Sequence, residues 1–190
     1  MDENRQRKRI IALILGGIVT VAVLPIILAI LALYIDRWLN LPIILQSPLN
    51  WVISIPILIL GFFWSIWANI DLFKKGEGGP IPTKATETIF LVNSGPYKYC
   101  RNPMIFGYVL IFVGLGLLLN SWSLMVLISA IVFGLLMTYV KVKEERDLEK
   151  RFGDSYKKYK DNTSFIIPRV SWEKVNQFLE DINEDNPLID

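Results

Sequence analysis

Apolar residues run along this chain in long blocks rather than in short alternations, and four blocks are of membrane scale. Residues 10–35 are apolar except where Gly16, Gly17, Thr20 and Pro25 interrupt them. At ~1.5 Å per residue, a helix of that length exceeds a ~30 Å hydrocarbon core and spans it with tilt. Residues 36–50 carry two prolines and the adjacent opposite charges Asp36 and Arg37, which suits a short loop or interfacial segment. Residues 51–70 form the second block, with Trp51, Trp64 and Trp67 as rings of the kind enriched near lipid headgroups. Residues 71–103 are polar, and Gly76, Gly78, Gly79, Pro80 and Pro82 argue against regular structure over their first part. Residues 104–119 and 122–140 are two further blocks. Asn120 and Ser121 between them suit a tight helical hairpin. The third block is short and needs flanking residues or a thinned bilayer to complete a span.

After Val140 the pattern changes. Leu148, Phe152, Tyr156 and Tyr159 recur at steps of four, four and three with charges between them, as on an interfacial helix. Gly153 is a cap or bend within it, leaving one helix or two short ones open. From Ser171, Trp172, Val175, Phe178, Leu179 and Ile182 mark an amphipathic helix that fades into an acidic end. The expected architecture is therefore all-α and polytopic: four transmembrane helices, the last two a hairpin, then a cytoplasmic interfacial helix. It divides into a basic N-terminus (1–9), two spans (10–70), a core of loop, hairpin and interfacial helix (71–169) and an acidic tail (170–190).

Charge sets the orientation. Arg5, Arg7, Lys8 and Arg9, the loop lysines and arginine (Lys74, Lys75, Lys84, Lys98, Arg101) and the basic stretch 141–160 share one side if there are four spans, while the other side has only Arg37. The positive-inside rule makes the shared side cytoplasmic, with both termini there. Three or five spans would put one basic segment outside.

Composition then removes several chemistries. Of 190 residues 53% are hydrophobic, so a bilayer rather than water is the natural solvent. The chain has no histidine, which takes away the commonest metal ligand and general base. Its single cysteine, Cys100, excludes an internal disulfide and reads as an interfacial filler, since no base accompanies it. Nothing suggests a nucleic acid partner or a metal.

The candidate chemistry lies around the third and fourth blocks. Ser94-Gly95-Pro96-Tyr97-Lys98-Tyr99-Cys100-Arg101-Asn102-Pro103 leads into the third block and puts Arg101 at the cytoplasmic membrane surface. There it either anchors to headgroups or grips an anion bidentately. Gly107, Gly114 and Gly116 thin one surface of the third helix, for helix packing or for a flat ligand. Glu144 and Glu145 follow the fourth block and point about 100° apart on a helix, so they form no shared dyad. They are either a solvated helix start paired with Lys141 or ligands for a cationic or diol-bearing molecule.

Together these segments resemble a family: the isoprenylcysteine carboxyl methyltransferases and the related phospholipid (phosphatidylethanolamine) N-methyltransferases. The resemblance covers residues 79–169. It rests on Gly95-Pro96-Tyr97 and Arg101-Asn102-Pro103-Met104, then Gly107, Glu144-Glu145 with Leu148, Phe152-Gly153, Tyr156, Tyr159 and Pro168. It implies a membrane-embedded methyltransferase that uses S-adenosylmethionine. On the resemblance, Gly114, Gly116, Glu144 and Glu145 bind the cofactor, joined by the signature positions Tyr97, Asn102 and Pro103. Arg101 matches an arginine associated with the substrate carboxylate, the catalytic position. Asn102 stands where histidine is usual and Ile105 where an aromatic is usual. The implied acceptor is a lipid-like or prenylated molecule among membrane lipids, an isoprenylcysteine-type carboxylate or a phospholipid amine. The missing histidine tilts the choice toward an acceptor already anionic. The alternative is a non-enzymatic membrane scaffold or lipid-binding helper on the same fold.

Overall fold

The computed structural model describes residues 23–76 and 88–169, together with Ile11, Leu15 and Val19. The described residues are helical, with no strand beyond a single parallel bridge between Cys100 and Ser164. Helix α1 is Leu24–Leu39 and α2 is Leu49–Gly76. A one-turn 3-10 helix, Gly95–Lys98, precedes α3, Pro103–Leu118. Helix α4 is Ser123–Phe152 and α5 is Asp154–Asn162. The basic N-terminus, the tail from Ser171 and the glycine-proline segment 78–82 lie outside the described residues.

Among the described residues two helices, α2 and α4, are long and apolar enough to cross a membrane. Only 22% and 33% of their most apolar windows are buried within the protein, so Ile59, Phe63, Ile131 and Leu135 face outward. Such broad apolar surfaces are incompatible with water and natural in lipid. Helix α3, with 16 residues, is apolar but shorter than a full span, as the pattern indicated. Ahead of α1 the exposed positions Ile11, Leu15, Val19 and Val23 recur every fourth residue in helical conformation.

Two boundaries differ from the pattern. Helix α2 runs six residues beyond Ile70 to Gly76, because Asp71 and Lys75 pair at 2.6 Å one turn apart and the basic Lys74 and Lys75 suit a helix C-terminus. Gly76 is thus its last residue rather than the start of a loop. At the other end α4 carries its helical backbone without interruption from membrane to interface. It does so through two wide π turns, Ser123–Ile128 and Val140–Glu144. The chain then bends at Gly153 (φ 55°), which resolves the amphipathic stretch into two helices.

Helix packing follows the small residues. Helix α2 lies chiefly against α3, where Gly61 meets the Gly107 carbonyl and Ile111, and Gly107 meets Ser65. Any side chain at either glycine would force the backbones apart. Ala29 and Ala32 of α1, Ile105 and Phe112 of α3, and Leu124, Ile128, Phe133 and Val140 of α4 form one core. The hairpin turn is fixed by Asn120 in the left-handed region (φ 53°), whose Oδ1 accepts from the Ile44 and Leu45 N–H groups at 3.1 and 2.9 Å. Asp36 at the end of α1 accepts from the Ser123 N–H at 2.9 Å, tying α1 to the free N–H groups at the start of α4.

Candidate functional site

The signature segment is held by backbone geometry before any side chain acts. Gly95 adopts φ 58°, and a Cβ there would collide with the Asp71 carboxylate, so the position requires glycine on two counts. Pro96 and Tyr97 form the 3-10 turn and are buried. The Tyr97 hydroxyl donates to the Ala68 carbonyl at 3.5 Å, and Tyr159 donates to the Tyr97 carbonyl at 2.8 Å. Pro103 occupies the first turn of α3, where its missing N–H costs nothing.

A segment after α5 clasps this turn from the far side. The Arg101 N–H donates to the Ser164 carbonyl at 2.8 Å and the Arg169 N–H to the Tyr99 carbonyl at 3.0 Å. Asn102 Nδ2 donates to the Phe165 carbonyl at 2.9 Å. Asparagine here therefore already performs one structural task, and its Oδ1 remains as an acceptor. The Phe165 ring lies between two cations, 5.4 Å from the Arg101 guanidinium and 4.9 Å from Lys141 Nζ.

Helices α3 and α4 are antiparallel neighbours, so the start of α3 is level with the end of α4. A cavity of about 530 Å³ opens along their contact. One end is apolar, with Leu24, Ile105, Phe112, Val132, Phe133 and Leu136. The other has Tyr97, Arg101, Asn102, Pro103, Glu144, Asp147, Tyr156 and Tyr159. The stripe from α4 keeps to one face across the π turn at Val140–Glu144, and such turns in α-helices often mark functional sites.

The two adjacent glutamates separate here. Glu144 faces the cavity and forms no ion pair with a described residue. Glu145 is buried away from it, with Oε1 2.5 Å from Arg101 Nη1 and Oε2 3.1 Å from Lys160 Nζ. Lys160 also reaches Glu149 at 2.8 Å. Pairing with Lys141, the alternative for the glutamates, does not occur; Lys141 lies over Phe165. Arg101 spends one nitrogen on Glu145, and its buried Nε has no hydrogen-bond acceptor among the described residues.

The surrounding phenols are neutral. Burial raises Tyr97 well above its ordinary value and Tyr159 likewise, and holds Tyr156 at about 12 with the nearby Glu145 charge adding to the effect. They are donors rather than bases at physiological pH. Burial also pushes the Cys100 thiol up to about 12.

Of the sequence candidates, Tyr97, Arg101, Asn102, Pro103 and Glu144 meet at the cavity, and Glu145 stands one layer behind through Arg101. Gly114 and Gly116 are not brought to it. A Cβ on Gly114 would meet Leu58 of α2 and one on Gly116 would meet Met125 of α4, so both glycines serve close helix contact. Lys160 and Phe165 take part without having been singled out. The apolar run Phe165-Ile166-Ile167 after a charged helix was the available signal for the clasp. Lys160 pairs across the bend at Gly153, which no helical spacing displays.

A family model described as phospholipid methyltransferase matches residues 49–155, the stretch from the start of α2 to just past Gly153. No curated protein matches the chain. The match covers more than half of the 190 residues, and the chain belongs to the phospholipid methyltransferase family.

Proposed function

We propose that this member of the family transfers a methyl group from S-adenosylmethionine to an amphiphilic acceptor held in the bilayer, an isoprenylcysteine-type carboxylate or a phospholipid amine. The observation that carries the reading is the two-ended cavity, apolar between α3 and α4 and charged where Arg101, Asn102 and Glu144 meet. A water-soluble cofactor and a lipid-like acceptor have to meet at such a boundary.

The residues present fit the cofactor. A volume of about 530 Å³ falls inside the roughly 300–1,000 Å³ of small-molecule sites. The unpartnered buried Nε of Arg101 is a donor suited to a carboxylate, and Glu144 is an acceptor suited to a diol or an ammonium group. The cofactor would supply an electrophilic methyl on a sulfonium. Transfer of that methyl would be an in-line displacement in which the sulfonium loses its charge, either to neutralise a carboxylate or to pass to the nitrogen of an already deprotonated amine. For an unprotonated acceptor, alignment and exclusion of water therefore dominate. Arg101 orients a carboxylate, Asn102 Oδ1 accepts a hydrogen bond, and Tyr97, Tyr156 and Tyr159 close the polar end as neutral side chains. The apolar residues of α3 and α4 hold the acceptor's chain and keep water out.

In this reading the chain crosses the bilayer four times, with α1 and α3 joining α2 and α4, and both termini face the cytoplasm. Residues 71–169 form the methyltransferase core. The test is transfer of labelled methyl from S-adenosylmethionine into membrane lipids and prenylated thiols, alongside S-adenosylhomocysteine binding by the purified protein. A labelled lipid product is the expected result; absence of both binding and transfer would return the chain to a scaffold role.

A further inference from the structure

Arg101, Glu145, Lys160 and Glu149 form an alternating series of charges running from the cavity outward to the surface. Arg101 and Glu145 are buried, with 12% and 8% of their side chains exposed, whereas Lys160 and Glu149 are about one-third exposed. The Glu145 carboxylate is shared, one oxygen facing Arg101 and the other Lys160. Lys160 is shared in turn between Glu145 and Glu149. Arg101 lies close enough to the Tyr156 hydroxyl to act on it electrostatically, and Lys157 adds its charge near Glu149.

We infer that Lys160 is a positioning residue that sets the anion affinity of Arg101 by drawing part of the Glu145 charge away from it. This rests on the reading that the Arg101 end of the cavity takes the carboxylate of the cofactor. A buried arginine paired to a single carboxylate presents a neutral unit to an incoming anion. When the carboxylate is divided between two cations, the series carries residual positive charge at its inner end, where the free Nε lies. Glu149 works in the opposite sense, because it competes with Glu145 for Lys160.

That opposition separates the electrostatic role from a simple clasp. Lys160 sits on α5 and both its partners on α4, so its bonds also fasten the two helices across Gly153. A clasp is weakened by loss of either bond. The electrostatic role predicts opposite signs for Lys160→Met and Glu149→Gln.

The experiment is titration calorimetry of S-adenosylhomocysteine into the detergent-solubilised full chain at fixed ionic strength. Lys160→Met should weaken binding on the order of fivefold, the scale of one partly exposed ion pair. Lys160→Arg should restore it, and Glu149→Gln should bind as tightly as wild type or tighter. Wild-type affinity in Lys160→Met, or joint weakening in Lys160→Met and Glu149→Gln, overturns the inference while leaving the cofactor reading intact. Should Lys160→Met fail to fold, the sign for Glu149→Gln still decides. No binding by the wild-type protein overturns the underlying reading itself.

Discussion

The guanidinium of Arg101 and the carboxylate of Glu145 meet at 2.5 Å although 44 residues separate them, and each is nearly buried. This contact assigns different tasks to two neighbouring glutamates. Removing the Glu145 carboxylate leaves Arg101 buried without its charge partner, whereas removing Glu144 changes only what faces the cavity. Glu145→Ala should therefore lower stability by about 3 kcal/mol, measured by denaturant titration in mixed micelles. Glu144→Ala should leave stability near wild type yet weaken S-adenosylhomocysteine binding roughly tenfold, as loss of a charge-assisted hydrogen bond does. Equal stability losses in the two variants would contradict the division.

Arg101 itself was open to two readings, a headgroup anchor or an oriented anion donor. Its low exposure and its bond to Glu145 leave little contact with headgroups. Arg101→Lys keeps the charge but loses the planar fork and the Nε donor. It should insert and remain monodisperse, and should lose on the order of tenfold or more in methyl transfer, since alignment is the main catalytic device. Near-wild-type turnover in the lysine variant would show that charge alone suffices there.

Gly95 provides a test of stability through the backbone. Alanine there must adopt a left-handed φ and also meet Asp71. The backbone strain alone is about 1–3 kcal/mol, and displacement of Asp71 would disturb its pair with Lys75. Gly95→Ala should unfold several degrees lower than wild type. Gly134→Ala is the control, because a Cβ at Gly134 meets nothing within 4 Å and glycine in a helix interior is unfavourable. A Gly95→Ala protein as stable as wild type would remove the geometric reason for glycine in the signature.

Much of this was legible in the sequence because membranes impose coarse rules. Long apolar blocks became α2 and α4, Asn120 and Ser121 made the hairpin turn, and Gly153 broke the amphipathic stretch. The signature named Arg101 and its neighbours without revealing that Asn102 is bound to Phe165 or that Glu145 faces away from the cavity. Those facts depend on a π turn at Val140–Glu144 and on a chain reversal at Gly153, which rotate and return segments in ways that residue spacing does not encode. Gly114 and Gly116 illustrate the converse. Small residues on a membrane helix have the same appearance whether they admit a ligand or a neighbouring helix, and only the positions of Leu58 and Met125 distinguish the two.

The last prediction uses the single native cysteine to determine topology. Cys100 is fully buried and its thiol is held at about 12. Since the thiolate is the nucleophile, alkylation at pH 8 should be negligible in the folded protein and should rise about tenfold per pH unit until the pH approaches that value. Unfolding in detergent should expose it to ordinary labelling. A cysteine introduced elsewhere is then read against a silent background. Asn40 lies exposed after α1 and Lys157 lies exposed on α5. With four spans and both termini cytoplasmic, Asn40→Cys should react in intact cells with a membrane-impermeant maleimide. Lys157→Cys should react only after permeabilisation, because the basic segments stay on the inner side. Both variants must first label fully when permeabilised, which shows that each site is accessible. Labelling of Lys157→Cys in intact cells, or protection of Asn40→Cys until permeabilisation, would overturn the proposed orientation. Ready labelling of the wild-type protein at neutral pH would instead show that the turn between Gly95 and Asn102 opens in the membrane.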